Sequence, residues 1–144
     1  MSRVCLIAAD KPLPLRDARA ERTSVIPVAG KSFTITALRG FRVAEHSYYR
    51  HAVDVLNYPI KPFQYELELE QHPEDLTHLL EYLRSNFAHG ETVELWSIWV
   101  GTDQSRPVRY SGALEDFDMD TLEQLTNPPD RDGNPGQCCL TVRI

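Results

Sequence analysis

The densest run of chemically capable side chains is Glu45-His46-Ser47-Tyr48-Tyr49-Arg50-His51. Imidazole, hydroxyl and guanidinium groups this close together suit acid–base or nucleophilic chemistry. On a helix, His46 and Arg50 share a face at i and i+4. His46 and His51 are five apart and diverge, so they do not make a helical metal pair. Ser47 or Cys5 would serve as nucleophile and His46 as base, but no acid–base–nucleophile order and no nucleophile-elbow motif accompanies them. His46, Arg50 and Cys5 are therefore weak catalytic candidates, and the preferred reading of 46–56 is an amphipathic helix with a polar face. Glu74 and His78 also lie at i and i+4, but nothing at ligand spacing completes a metal site. Asp116, Asp118 and Asp120 superficially match a calcium loop, but Thr121 and Asn127 stand where that loop needs glycine and glutamate. The seven glycines are scattered and form no phosphate-cradling loop, so no cofactor or metal is expected.

The chain has 144 residues, enough for one domain with a core that needs neither disulfide nor metal. Its net charge of −6 makes it a poor general nucleic-acid binder. That charge is uneven: residues 1–32 carry +3 and the remainder −9. The simplest consequence is a basic N-terminal segment lying against an acidic body. Three cysteines make no disulfide framework, no apolar run is long enough to span a membrane, and no secretion signal is read, so a cytoplasmic protein with reduced thiols is expected. Cys138 and Cys139 are neighbours, which on a strand sends one into the core and leaves the other partly exposed.

Elements must position these groups. Val4 to Ala9 reads as a short buried strand, ended by Pro12 and Pro14. Residues 15–24 read as a loop or frayed helix, and Val25–Val28 and Phe33–Leu38 as two strands about a turn at Gly30-Lys31. Tyr49, Ala52, Val53 and Leu56 make the apolar stripe of a helix over 46–56. Phe63, Tyr65, Leu67 and Leu69 alternate with Gln64, Glu66, Glu68 and Glu70, which is a strand with one core face and one carboxylate face. Pro73-Glu74-Asp75 opens a helix whose stripe runs through Leu76, Leu79, Leu80, Leu83 and Phe87. Strands follow at 91–100 and 108–113, joined by a hairpin-like connection at 101–106. Asp120 and Glu123 resemble a capping box for a short helix, and the chain closes on a strand, 138–144.

From Phe63 onward the order is strand, helix, strand, strand, helix, strand. That order resembles the ferredoxin-like βαββαβ arrangement, an α+β fold with helices on one face of an antiparallel sheet. The chain is then a single domain, 1–144, with an N-terminal extension over 1–62 packed on a core over 63–144. The resemblance implies that 63–70 and 106–113 are adjacent central strands, flanked by 138–144. Arg109 and Arg143 would then sit beside Glu66, Glu68 and Glu70 as cross-strand partners. Trp96 and Trp99, three apart, point to opposite faces; one of them needs cover from the chain's own 46–56 helix or 25–38 strands, a second copy or a ligand. The function read from this is a small protein-binding module with an acidic sheet face, its partner a basic protein or a second copy. Toxin-neutralising immunity proteins are one class of that kind. Glu66, Glu68, Glu70, Arg109, Arg143, Trp96 and Trp99 are its candidate binding residues. The alternative is a small-ligand domain or enzyme using the His46–His51 cluster.

Overall fold

The computed structural model describes residues 2–101 and 106–144. Most of the connection read at 101–106 therefore lies outside the described residues. The fold is mixed α/β, built on a large sheet with three α-helices. In chain order the elements are β1 (Ser2–Ala9), β2 (Arg16–Asp17), β3 (Ala20–Val28), β4 (Lys31–Arg39), β5 (Arg42–Glu45), α1 (Arg50–Asp54), β6 (Phe63–Glu68), α2 (Pro73–Asn86), β7 (Thr92–Val100), β8 (Val108–Ala113), α3 (Met119–Thr126) and β9 (Cys138–Arg143). Seven strands form one sheet in the order β2-β5-β6-β1-β7-β9-β8, and β3 and β4 form a separate two-stranded ribbon.

This order departs from the ferredoxin-like one. β6 and β8 are not neighbours, because β1 enters between β6 and β7 and pairs antiparallel with both. The reason is in β1 itself. Val4, Leu6, Ile7, Ala8 and Ala9 are all buried, so successive residues on opposite faces both need cover. Only a central place in a two-sided sheet satisfies such a strand. β8, by contrast, carries Arg109, Ser111 and Gly112 and occupies the edge, parallel to β9. Arg109 and Arg143 are therefore not cross-strand partners of the glutamates. Arg109 lies opposite Cys139 and Arg143 opposite Thr92, at the far side of the sheet.

Each sheet face has its own core. Tyr65, Leu67 and Leu69 face α2 and α3 as their alternation requires, together with Ile7, Leu95, Cys138, Leu140 and Val142. Leu6, Ala8, Trp96, Ile98 and Cys139 face the other way and are covered by Val53, Tyr49, Ala52, Leu56, Tyr58 and Ile60. The stripe read at 49–56 is thus a packing stripe, but the helix it rides is short. Only Arg50–Asp54 is helical, with no side-chain bond at its N-cap Tyr49, no acid in its first turn, and Asn57 in the left-handed region just beyond it. Cys139 is fully buried rather than partly exposed, because this 49–60 segment seals the face on which it lies. α3 begins two residues earlier than read. Its cap is Asp118, whose carboxylate accepts from the Thr121 amide at 2.9 Å in a reciprocal box with the Thr121 hydroxyl.

The ribbon is fastened at its base by one buried pair. Asp75, in the first turn of α2, is fully buried and accepts from Arg22 Nη2 at 2.5 Å and from the Glu70 amide at 2.7 Å. Gly40 closes over this pair with φ +130°, and a Cβ there would stand 3.3 Å from both Arg22 Nη2 and Asp75 Oδ1. Removing one partner of a buried pair strands the other charge, which costs ~3–5 kcal/mol. Asp75→Ala is expected to lose that much in urea unfolding, and Arg22→Met with Asp75→Leu to recover most of it. At the ribbon's other end the turn residues Ala29 and Gly30 have φ 51° and 76°. A left-handed alanine costs ~1–2 kcal/mol, and asparagine accepts that conformation more readily. Ala29→Asn is therefore expected to slow amide exchange across β3 and β4 several-fold.

Candidate functional site

Three sets of residues hold functional potential: the glutamate face of β6, the His46 region, and the ribbon. On β6, Glu66 stands in a cross-strand row with Leu6 and Ala44, on the sheet face opposite α2 and α3. Glu68 lies opposite Arg42, with an Nη1–Oε1 distance of 3.5 Å, and 3.9 Å from Arg19. Glu70 sits 3.0 Å from Arg39 and 3.7 Å from Arg22. The partners of the ladder are thus arginines of the N-terminal third, which is how the basic segment and the acidic body compensate each other. Glu66 makes no ion pair among the described residues; its burial and the neighbouring Glu68 charge raise its pKa.

The two tryptophans do point to opposite faces. Trp96 is fully buried on the α1 side, with Tyr58 stacked on it at 6.1 Å and the Arg109 guanidinium 5.1 Å from its ring centre. Its indole N–H donates to Glu94, which also accepts from the Lys61 amide at 2.8 Å and so fastens the covering segment. Trp99 is part-exposed under Arg3, whose guanidinium also donates to Ser97 Oγ at 3.0 Å and to the Gly136 carbonyl at 2.7 Å. In this arrangement Trp96 and Arg109 complete a core, and self-cover is the answer the chain uses.

The His46 region is packed rather than open. His46 is buried, and neither of its ring nitrogens has a hydrogen-bond partner. Desolvation lowers its pKa, and Arg50 adds to that against a smaller opposing effect of Asp54. Arg50 itself is exposed on α1, as is His51. Cys5 packs against the core beneath α2 and α3, in the cross-strand row with Ser97. Burial raises its thiol pKa, partly offset by a hydrogen bond with Ser97 and by Arg3. A nucleophilic cysteine needs the reverse, a lowered pKa beside a base. Burial likewise pushes Cys138 to about 11 and Cys139 to about 12.

The ribbon is the feature whose exposure the sequence reading missed. The strands next to its turn were legible, while 20–24, read as a loop or frayed helix, extend β3; none of the residues of β3 or β4 is buried. Nine residues per strand carry it ~30 Å in length. Register places Ile26 opposite Phe33, Ser24 opposite Ile35 and Val28 opposite Lys31 on one face. Val25 and Phe33 are 67% and 51% exposed, and Ile26, Val28, Ile35 and Leu38 are exposed too. The signal available in the sequence was a run from Thr23 to Arg39 with no carboxylate and six large apolar residues, for which no neighbouring stripe offers cover.

Among the described residues there is no cluster of His, Cys, Asp and Glu able to hold a metal, and no helix is long and apolar enough to cross a membrane. No protein-family model, curated protein or solved structure matches the chain.

The lowered pKa of His46 carries a pH dependence with a definite sign. Below pH 6.5 the unfolded chain binds a proton that the buried ring refuses, so stability present at neutral pH is lost as pH falls toward the folded pKa. His46→Leu is expected to flatten the stability curve between roughly pH 7.5 and pH 5.5. Urea midpoints of both proteins across that range measure the difference, and parallel curves would remove His46 as its source.

Proposed function

We propose that this chain is a protein-binding module, and that its contact surface is the β3–β4 ribbon. The single observation behind this reading is a ribbon of eighteen residues, none of them buried, that presents Val25, Ile26, Val28, Phe33, Ile35 and Leu38 to solvent. Side chains of this kind, left together on a projecting element, mark an interaction site. An isolated two-stranded ribbon is marginal in water and gains stability when a third strand or a second surface covers it. Arg22 and Asp75 hold its base, so the ribbon is presented in a defined place rather than trailing.

The glutamate face is the second surface of the same function. Glu68 and Glu70 spend their charge on Arg19, Arg22, Arg39 and Arg42, which leaves Glu66 as the carboxylate with no ion pair there among the described residues. A basic partner would have to compete with four internal arginines for Glu68 and Glu70. The ribbon faces no such competition.

The two surfaces separate by mutation. Tagged wild-type chain, an Ile26→Asp, Phe33→Asp variant and a Glu66→Lys, Glu68→Lys variant are compared as baits, with protein from the same source cells and untagged chain as prey. The ribbon variant is expected to lose its prey at least tenfold while keeping the wild-type unfolding midpoint, since the substituted residues are exposed. The lysine variant is expected to retain most of it. The opposite pattern would move the contact surface to the glutamate face.

A further inference from the structure

Resting on that reading, we infer that the ribbon's partner is a second copy of this chain. The β4 strand of one copy adds to the open edge of β8 in the next, and the apolar ribbon face fills the cleft between β8 and α3.

The strand edges argue for this pairing. β8 ends the sheet order and hydrogen-bonds to β9, so its other edge has no strand among the described residues. The ribbon has two free edges of its own, and they differ. The turn at Ala29-Gly30 makes Val28 and Lys31 a hydrogen-bonded pair, so Pro27 and Ser32 form the next, non-hydrogen-bonded pair, whose backbone groups point outward. Proline at that place removes a donor from the free edge of β3. The free edge of β4 carries Ser32, Thr34 and Thr36 in outward positions and keeps every donor. β4 has nine residues and β8 six, so one can cover the other fully.

The cleft argues for the same occupant. α3 packs over β7 and β9 and leaves the helix side of β8 uncovered. The resulting cleft of about 670 Å³ has Leu125, Leu140 and Val142 in its floor. A strand added beside β8 would send alternate side chains under α3. On β4 those side chains are Lys31, Phe33 and Ile35, with Ile26 beside Phe33. Charge completes the match. Asp116, Asp120 and Glu123 line the cleft with no cation among its lining residues, and none of the three makes an ion pair among the described residues. Lys31 is likewise without an ion pair, on a ribbon that carries no carboxylate beyond Glu21. The ribbon grows from the β2–β5 end of the sheet and the cleft lies at the β8 end, so the contact uses two different patches and is head-to-tail.

That asymmetry gives a decisive experiment. Mass by light scattering is measured on size-exclusion peaks over a concentration series. Wild type is expected to rise from the monomer's 16.5 kDa to at least twice that value. Ile26→Asp with Phe33→Asp disables the ribbon, and Asp116→Lys with Glu123→Lys disables the cleft; all four residues are exposed, and melting curves check that both variants fold. Each variant alone is expected to remain a monomer. Mixed, they are expected to form a one-to-one dimer, because one intact ribbon and one intact cleft remain. A wild type that stays monomeric throughout overturns the inference, as does an oligomer that survives either variant or a mixture that fails to combine. Loss of a different protein prey by the ribbon variant, with wild type monomeric, would sink the self-association and leave the ribbon as the binding surface. Retention of prey by the ribbon variant would sink the ribbon as the binding surface.

Discussion

The buried contact between Asp75 and Arg22 is the constraint on which the arrangement of this chain turns. One carboxylate serves three purposes: it binds the guanidinium of the ribbon, accepts the amide of Glu70 where β6 ends, and sits in the positively polarised first turn of α2. The turn after β6, the start of α2 and the base of the ribbon therefore share one acceptor. A buried charge pair of this kind contributes little net stability compared with apolar residues, but it tolerates the loss of neither partner. Its value is in specifying where the ribbon leaves the body. Gly40 belongs to the same device, because its left-handed backbone lets the chain return from β4 to β5 in the space beside Arg22 and Asp75.

The sheet explains how a short chain supports such a projection. β1 and β7 are buried on both faces, so the sheet is two-sided and demands cover on each. α2 and α3 cover one face with their leucines, and the 49–60 segment covers the other with a short helix and the Tyr58–Trp96 stack. Cover runs out at the β8 edge, which is where the cleft opens. The ribbon at one end and the uncovered strand at the other are two aspects of one limit: the chain has enough apolar surface for two cores but not for a third.

Charge follows the same logic. The carboxylates of Glu68 and Glu70, at and just beyond the end of β6, are neutralised internally, by Arg22 and Arg39 at the base of the ribbon and Arg19 and Arg42 on either side of it. The carboxylates of the α3 rim find no such partner among the described residues. Among the described residues, acid without an ion pair is therefore found at the α3 rim as well as at Glu66 on the face that strand alternation advertises. His46 is a separate matter. It is a buried imidazole, with no hydrogen-bond partner at either nitrogen, that ties stability to pH.

Local pattern determined a good deal by itself. Period-two alternation in Phe63–Glu70 set which side of β6 is core, and the leucine spacing of Leu76–Phe87 set α2. The stripe at Tyr49–Leu56 named the residues that cover Trp96, although missing caps left only Arg50–Asp54 helical. These features depend on neighbours a few residues apart, and sequence records such neighbours directly. Strand order does not work that way. The insertion of β1 between β6 and β7 depends on burial demanded on both of its faces, a demand visible in Val4–Ala9 but readable only against every other strand competing for the centre. The same holds for the glutamates, whose arginine partners lie more than twenty-five residues away, and for the ribbon. Alternation shows that β3 and β4 are strands; whether anything covers them is decided by where the rest of the chain has already gone.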